Sequence, residues 1–200
     1  MSVAAFDRRS SAVLFMDFQN GIVARMPERA APVLPRAAEV LAAARAAGVF
    51  VAHVNVGFRA GHPEISARNQ SFGTLKSSGK FLPGSQDGAI ADTLAARDGE
   101  PTVLKHRVSA FAGTDLEMLL RARDIDTLVL LGISTSGVIL STVRHAADAD
   151  YRLFVVEDGC VDADPEVHRV LVEKIFPRQA TVTTCEAVVA ALGARGDHAL

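Results

Sequence analysis

Charged and hydroxyl side chains stand directly after several short apolar stretches of this sequence. Asp17 follows SAVLFM, Lys105 lies near the end of TVLKHR, and a hydroxyl-rich turn at residues 134–138 follows LVLLGI. A carboxylate beside an ammonium can transfer protons, because each group shifts the pKa of the other and burial strengthens the coupling. Free backbone N–H groups at a helix start can bind a negatively charged oxygen. These residue types therefore favour acid–base chemistry in a pocket.

The turn at 132–138 lacks the nucleophile that would complete a covalent mechanism. Its pattern is typical of a buried strand that turns into a helix. A thiol at the start of such a helix would have a lowered pKa and would be reactive. Val138 stands at this helix start, and its branched apolar side chain can only pack or shape a pocket. Cys160 follows a later strand and is either a substitute nucleophile at the pocket edge or a buried packing residue.

Each of these features also has a purely structural interpretation. Asp17 and Lys105 could form an ordinary salt bridge, and Ser136 could simply cap the following helix. His53, on an apolar stretch, favours a core or pocket histidine over a metal ligand, because no ligand cluster lies near it in the sequence. No glycine-rich dinucleotide or phosphate-binding motif is present. We therefore expect neither a metal nor a cofactor.

Composition narrows the class of protein. The 200 residues are 49% apolar and 22% charged, with a formal net charge of −2, which fits a single domain over residues 1–200. No basic run indicates a nucleic-acid partner, and no apolar run is long enough to span a membrane. The N-terminus does not resemble a signal peptide, and two cysteines suit a reduced compartment. We expect a cytoplasmic protein that acts on a small molecule.

Strand and helix patterns alternate along the whole chain. Apolar strand patterns occur at 11–18, 49–56, 102–107, 126–132, 152–158 and 180–184, and helical patterns at 35–48, 114–124, 136–150, 164–176 and 185–192. This alternation predicts a three-layer αβα fold with parallel strands, which binds ligands beyond the carboxyl ends of the strands. The irregular stretch at 57–88 is longer than a loop that only connects two elements usually is, so we expect it to form a pocket wall or lid.

Three motifs, in their order and spacing, resemble the isochorismatase-like hydrolase superfamily. They are VLFMDFQNGIV, VLKHRVSAF and LVLLGISTSGVILSTVRHAADADYRLFVVEDGC. The resemblance covers nearly the whole chain and implies a six-stranded parallel Rossmann-like sheet and assembly into homodimers or homotetramers. It also implies a cis peptide bond between Ile133 and Ser134.

The resemblance further assigns roles to individual residues. Asp17 and Lys105 match the catalytic Asp and Lys of the cysteine-hydrolase members, whose cysteine corresponds to Val138. True isochorismatases place glycine there and protonate a vinyl ether, whereas this chain has Gly137 one position earlier. The predicted catalytic residues are Asp17 and Lys105, and the predicted substrate-binding residues are Gln19, Phe111, Ile133, Ser134, Thr135, Gly137 and Val138.

Two hypotheses follow from this pattern. In the first, the protein is a small-molecule hydrolase in which Asp17 supplies the acid, Lys105 tunes it, and the bond broken is acid-labile, such as an enol ether. In the second, the protein is a ligand-binding or regulatory homologue that has lost turnover. The retained Asp17 and Lys105 favour the first hypothesis, and Val138 favours the second.

Overall fold

The computed structural model describes residues 7–193, which form one six-stranded sheet covered by helices on both faces. The strands are β1 (Ser11–Met16), β2 (Phe50–Val56), β3 (Thr102–Lys105), β4 (Thr127–Ile133), β5 (Arg152–Val161) and β6 (Thr181–Thr183). The helices are α1 (Asn20–Val23), α2 (Pro27–Ala30), α3 (Val33–Ala47), α4 (Leu116–Arg121), α5 (Leu140–Asp148), α6 (Pro165–Val170) and α7 (Cys185–Gly193). The predicted αβα fold is confirmed.

All strand pairs are parallel, and the strand order is β3-β2-β1-β4-β5-β6. Every residue of β1 and β4 is buried, as expected for central strands covered on both faces. The chain leaves β1 toward one side of the sheet and later returns through β4 to the other side. The crevice beyond the carboxyl ends of β1 and β4 is therefore the topological switch point, where such sheets bind ligands.

Two apolar clusters fill the two faces of the sheet. One lies beneath α4, α5 and the helical turns at residues 171–176 that follow α6, and it includes Leu14, Leu130 and Val143. The other lies beneath α3 and α7 and includes Phe15, Leu41 and Val188. Burial of these side chains provides the main stabilisation of the fold. No helix within residues 7–193 has the length and apolar character needed to cross a membrane.

Several element boundaries differ from the predicted ones. Helix α3 begins at Val33, before Pro35, because the first turn of a helix leaves its N–H groups unbonded and so tolerates proline. Strand β3 ends at Lys105, where the chain turns and the His106 ring lies 2.6 Å from the Gly57 carbonyl oxygen. Strand β5 continues to Val161 after its pairing with β4 shifts register.

The long segment after β2 is largely irregular but has its own apolar centre. Val56, Phe58, Ile65, Leu75 and Phe81 pack together there. Short 3₁₀ turns occur at Gly73–Leu75 and at Asp92–Leu94. This cluster holds the segment against the carboxyl end of β2, so part of it forms a wall beside the switch point.

Candidate active site

Asp17 is the first residue after β1 and points into the switch-point crevice. Its backbone has φ 59°, in the left-handed region that aspartate tolerates better than most residues. The Asp17 N–H donates to the Val54 carbonyl oxygen at 2.7 Å, which fixes this turn against β2. The carboxyl group is thus held at the sheet edge, with the residue 5% exposed.

Lys105, the last residue of β3, forms a buried ion pair with Asp17. The Lys105 Nζ lies 2.9 Å from Asp17 Oδ2 and also donates to the Arg107 carbonyl oxygen at 3.1 Å. Burial raises the pKa of the Asp17 carboxyl above its ordinary value, and the neighbouring Lys105 ammonium opposes that rise. Asp17 Oδ1 is also buried, and within residues 7–193 it has no hydrogen-bond partner. Lys105 therefore binds one carboxyl oxygen, and the other is a buried acceptor without a hydrogen bond to the described part of the chain.

The turn after β4 brings two hydroxyl groups to the same crevice. The Ile133–Ser134 peptide bond is cis, as the resemblance implied. The Ser136 N–H donates to Asp162 Oδ2 at 2.7 Å, and the Gly137 N–H donates to the Ser134 carbonyl oxygen at 3.1 Å. These two N–H groups of the turn are thus already bonded within the protein. The Ser134 and Ser136 side chains line the crevice instead.

The crevice is a cavity of about 460 Å³. Polar or charged lining comes from Asp17, Arg25, Ser71, Lys105, Ser134, Ser136 and Ser141, and the rest of the lining is Ile22, Met26, Val56, Phe72, Leu75, Phe81, Val108, Ile133, Gly137 and Val138. Within the described part of the chain, the four serine hydroxyls have no hydrogen-bond partner. A small molecule with polar and apolar parts fits this lining.

Four of the seven predicted substrate-binding residues line this cavity, namely Ile133, Ser134, Gly137 and Val138. Gln19 does not, and its amide is bonded to backbone groups: Nε2 donates to the Val56 and Gly88 carbonyl oxygens, and Oε1 accepts from the Val56 N–H, each at 2.8 Å. Gln19 therefore positions the start of α1.

Thr135 and Phe111 also lie away from the cavity. Thr135 is fully buried, and its hydroxyl lies 2.8 Å from His168 Nδ1. Burial lowers the pKa of His168, which favours a neutral imidazole that accepts from the hydroxyl. The Phe111 ring stacks on His145 at 4.5 Å, on the face covered by α5. Gln19, Thr135 and Phe111 thus lie outside the cavity lining, and their contact with a substrate stays a prediction.

Neither cysteine lines the cavity. Cys160 Sγ lies 3.8 Å from the Leu130 carbonyl oxygen inside the sheet, and burial raises its pKa to about 12. Cys185, at the start of α7, is also buried with a raised pKa. Both are therefore packing thiols, whereas Val138, 2% exposed, occupies the cavity wall.

Sequence reasoning missed several lining residues. Ser141 lies three residues after Val138, so helical spacing could have indicated it. Ser71 and Phe72 belong to the long segment that we predicted to form a pocket wall or lid. Because that segment is irregular, its sequence has no periodic pattern that indicates which of its side chains face the cavity. Arg25 and Met26 follow a one-turn helix that has no sequence signal.

No group of three or more His, Cys, Asp or Glu side chains within residues 7–193 is arranged to hold a metal ion. His53 is buried, stacks on Phe15 at 5.7 Å and lies 3.3 Å from Glu100 Oε2. It is thus a core histidine, as predicted.

Comparison with known proteins places the chain in a family. The isochorismatase domain model matches residues 11–187. The isochorismatase family protein YecD of Escherichia coli O157:H7 is 38% identical over 92% of this chain and 97% of its own. A ureidoacrylate amidohydrolase of Methylobacterium radiotolerans is 31% identical over 81% of this chain and 68% of its own.

A solved structure supports the same assignment. An isochorismatase family protein from Burkholderia thailandensis superimposes with a TM-score of 0.82 at 28% identity, covering 96% of this chain and 100% of its own. The family model, the relatives and the solved structure each cover most of this chain. The chain therefore belongs to the isochorismatase family of hydrolases.

Proposed function

We propose that this protein hydrolyses a small molecule by acid–base chemistry at Asp17, without a cysteine nucleophile. The observation that carries this proposal is the buried Asp17–Lys105 pair, whose Asp17 Oδ1 has no hydrogen-bond partner within residues 7–193. Val138 stands at the helix start in the same cavity. Lys105 orients the carboxyl group through Oδ2, and Oδ1 exchanges the proton. The raised pKa of Asp17 favours this role, because a carboxyl group must be protonated to act as an acid.

Hydrolysis of an enol ether suits these groups. Protonated Asp17 donates from Oδ1 to the alkene carbon, which leaves a positively charged oxocarbenium centre that the ionised carboxylate stabilises. Water adds to that centre, its surplus proton returns to Asp17, and the resulting hemiketal releases an alcohol and a carbonyl compound. The Ser134 and Ser136 hydroxyls, open to the cavity, hold the substrate oxygens during these steps.

Amide hydrolysis by a thiol is closed to this chain at residue 138. Relatives include the ureidoacrylate amidohydrolase and a maleamate amidohydrolase of Pseudomonas putida, which is 29% identical over 88% of this chain and 84% of its own. Valine cannot form an acyl intermediate. Val138 also favours the second candidate function, a ligand-binding homologue without turnover, which the following experiment separates from the first.

The test is a screen of enol ethers and small amides with wild-type protein and the Asp17→Asn variant. General acid catalysis contributes about 10²–10⁴-fold, so Asp17→Asn should lower turnover of an accepted compound by at least about 100-fold. Asp148→Asn is the matched control, since Asp148 is exposed at the end of α5, and it should retain full activity. Circular dichroism verifies that each variant is folded.

Two outcomes would overturn the acid–base mechanism. One is undiminished turnover by Asp17→Asn. The other is a covalent acyl adduct on Cys160 or on residues 134–136, detected by mass spectrometry of wild-type protein during turnover. Compounds that bind in an Asp17-dependent way but are never converted would instead support the ligand-binding homologue.

A further inference from the structure

The cavity contains a cation with no acidic partner. Arg25 lies at its rim, on the turn between α1 and α2, and its side chain forms no ion pair with any carboxylate of residues 7–193. We propose that Arg25 binds a carboxylate group of the ligand, so that the protein selects small organic acids with an apolar body. This inference rests on the proposed function only in placing the ligand in the same cavity.

The charges of the lining support an anionic ligand. Three lining side chains are ionisable, and two of them, Asp17 and Lys105, form the 2.9 Å ion pair. Arg25 then leaves the cavity with an excess positive charge when Asp17 is ionised. A guanidinium group presents two parallel N–H donors that match the two oxygens of a carboxylate, which makes arginine suited to this ligand.

The backbone that carries Arg25 is held in place on both sides. Gln19 ties the start of α1 to β2 and to the Gly88 carbonyl oxygen through its amide. The Gly21 N–H donates to the Asp87 carbonyl oxygen at 2.9 Å, and the Arg25 N–H donates to the Ile22 carbonyl oxygen at 3.0 Å. The rim position of Arg25 thus follows from a bonded segment that begins two residues after Asp17.

Phe81 provides a surface for the guanidinium group. The Arg25 guanidinium carbon lies 5.8 Å from the centre of the Phe81 ring, within the range of a cation–π contact. Phe81 is itself fixed, because its N–H donates to Asp87 Oδ2 at 2.7 Å and the residue is 2% exposed. This contact restricts the conformations of the arginine and lowers the entropic cost of binding.

The remaining lining fits the rest of such a ligand. Ile22, Met26, Phe72 and Leu75 form apolar wall beside Arg25, and the serine hydroxyls and Asp17 lie elsewhere on the same cavity surface. A molecule with a carboxylate at one end and an oxygen-bearing reactive group at the other would satisfy both regions. The carboxylate then orients the reactive group without taking part in its chemistry.

Calorimetry or NMR titration with benzoate and benzamide tests the proposal, since the two probes have nearly the same shape and differ in charge. Wild-type protein should bind benzoate more tightly than benzamide. Arg25→Met should weaken benzoate binding by about tenfold and leave benzamide binding unchanged. Arg29→Met is the matched control, because Arg29 is exposed on α2 and does not line the cavity. Added salt should reduce the benzoate preference.

Equal affinities for the two probes, an unchanged preference in Arg25→Met, or a crystal structure with benzoate outside the cavity would overturn the proposal. Asp17→Asn separates it from the catalytic proposal. If that variant keeps both turnover and the benzoate preference, the acid–base mechanism fails and carboxylate recognition stands. If turnover depends on Asp17 while the preference is missing, only carboxylate recognition fails.

Discussion

Val138 decides which chemistry is open to this cavity. Its side chain lies in the wall at the end of the turn that leads into α5, in the same cavity as the buried ion pair of Asp17 and Lys105. Valine contributes shape there and no reactive atom. The surroundings nevertheless retain what would activate a thiol, namely an ammonium group and the approach to a helix N-terminus.

Val138→Cys should therefore create a reactive thiol. We expect iodoacetamide to alkylate Cys at position 138 at least tenfold faster at pH 7 than Cys160, whose pKa is raised to about 12 by burial. A mass-spectrometric time course with peptide mapping measures both rates in the same molecule. Val138→Ser controls for the change of shape and should show no adduct at residue 138. Equal alkylation rates at the two cysteines would mean that the cavity does not activate a nucleophile.

At the scale of elements, the site depends on the tight turn between β4 and α5. A Cβ atom on Gly137 would lie 2.8 Å from Ser134 Oγ, which is closer than side-chain atoms approach. A Cβ atom on Gly132 would meet the Met16 carbonyl oxygen of the neighbouring strand β1. Both glycines therefore allow β4 and its turn to pass close to their neighbours and to place the hydroxyls in the cavity.

Gly137→Ala should displace the Ser134 hydroxyl and lower kcat/KM for an accepted compound by about tenfold, the value of one lost hydrogen bond to a substrate oxygen. The matched control is Gly193→Ala at the end of α7, where an added Cβ meets no atom of residues 7–193 within 4 Å. That control should keep its activity and its melting temperature within a few degrees of the wild type. Steady-state kinetics together with thermal unfolding distinguish a local effect from loss of the fold. Unchanged kinetics in a folded Gly137→Ala variant would contradict the role given to Ser134.

At the scale of the whole molecule, Glu100 connects segments that are distant in sequence. Its carboxylate binds Arg45 of α3 through two hydrogen bonds of 2.7 and 2.8 Å, and Oε2 lies 3.3 Å from His53 of β2. Oε2 also accepts from the Arg97 N–H at 2.9 Å. The pKa of Glu100 is held at about 2, chiefly by the hydrogen bonds from Arg45. The segment that leads into β3 is thereby fixed to the sheet.

This lowered pKa makes stability depend on pH in a defined direction. The ionised Glu100 stabilises the folded state fully above its ordinary pKa of 4.5, and the contribution is lost as the pH falls from there toward about 2. Glu100→Gln should lower the free energy of unfolding by about 1–3 kcal/mol at pH 7, and less at pH 3. Urea unfolding at both pH values measures the difference.

Glu117→Gln serves as the comparison, since Glu117 forms an exposed pair with Arg121 on α4. We expect little change in stability for that variant at either pH. A Glu100→Gln variant that loses as much stability at pH 3 as at pH 7 would show that packing, and not the carboxylate charge, connects these segments.

The sequence by itself determined the alternation of strands and helices, and with it the parallel sheet and the edge at which ligands bind. It also placed Asp17 and Lys105 at the ends of their strands and Val138 at a helix start. These features can be predicted because the periodic patterns of strands and helices involve residues that are near each other in the sequence. The carboxyl ends of parallel strands also lie at the same edge of a sheet.

Only the tertiary structure decided which side chains around that edge face the cavity. Asp162, which directly follows β5, accepts a hydrogen bond from the Ser136 N–H. The Gln19 amide forms hydrogen bonds with backbone groups of β2 and of the long segment. Arg25 and Phe81 are in contact at the cavity rim although they are 56 positions apart in the sequence. Neither residue lies in a stretch with a periodic apolar pattern. The physical reason is that irregular segments are positioned by hydrogen bonds and apolar contacts to partners far along the chain, and such partners leave no local pattern in the sequence.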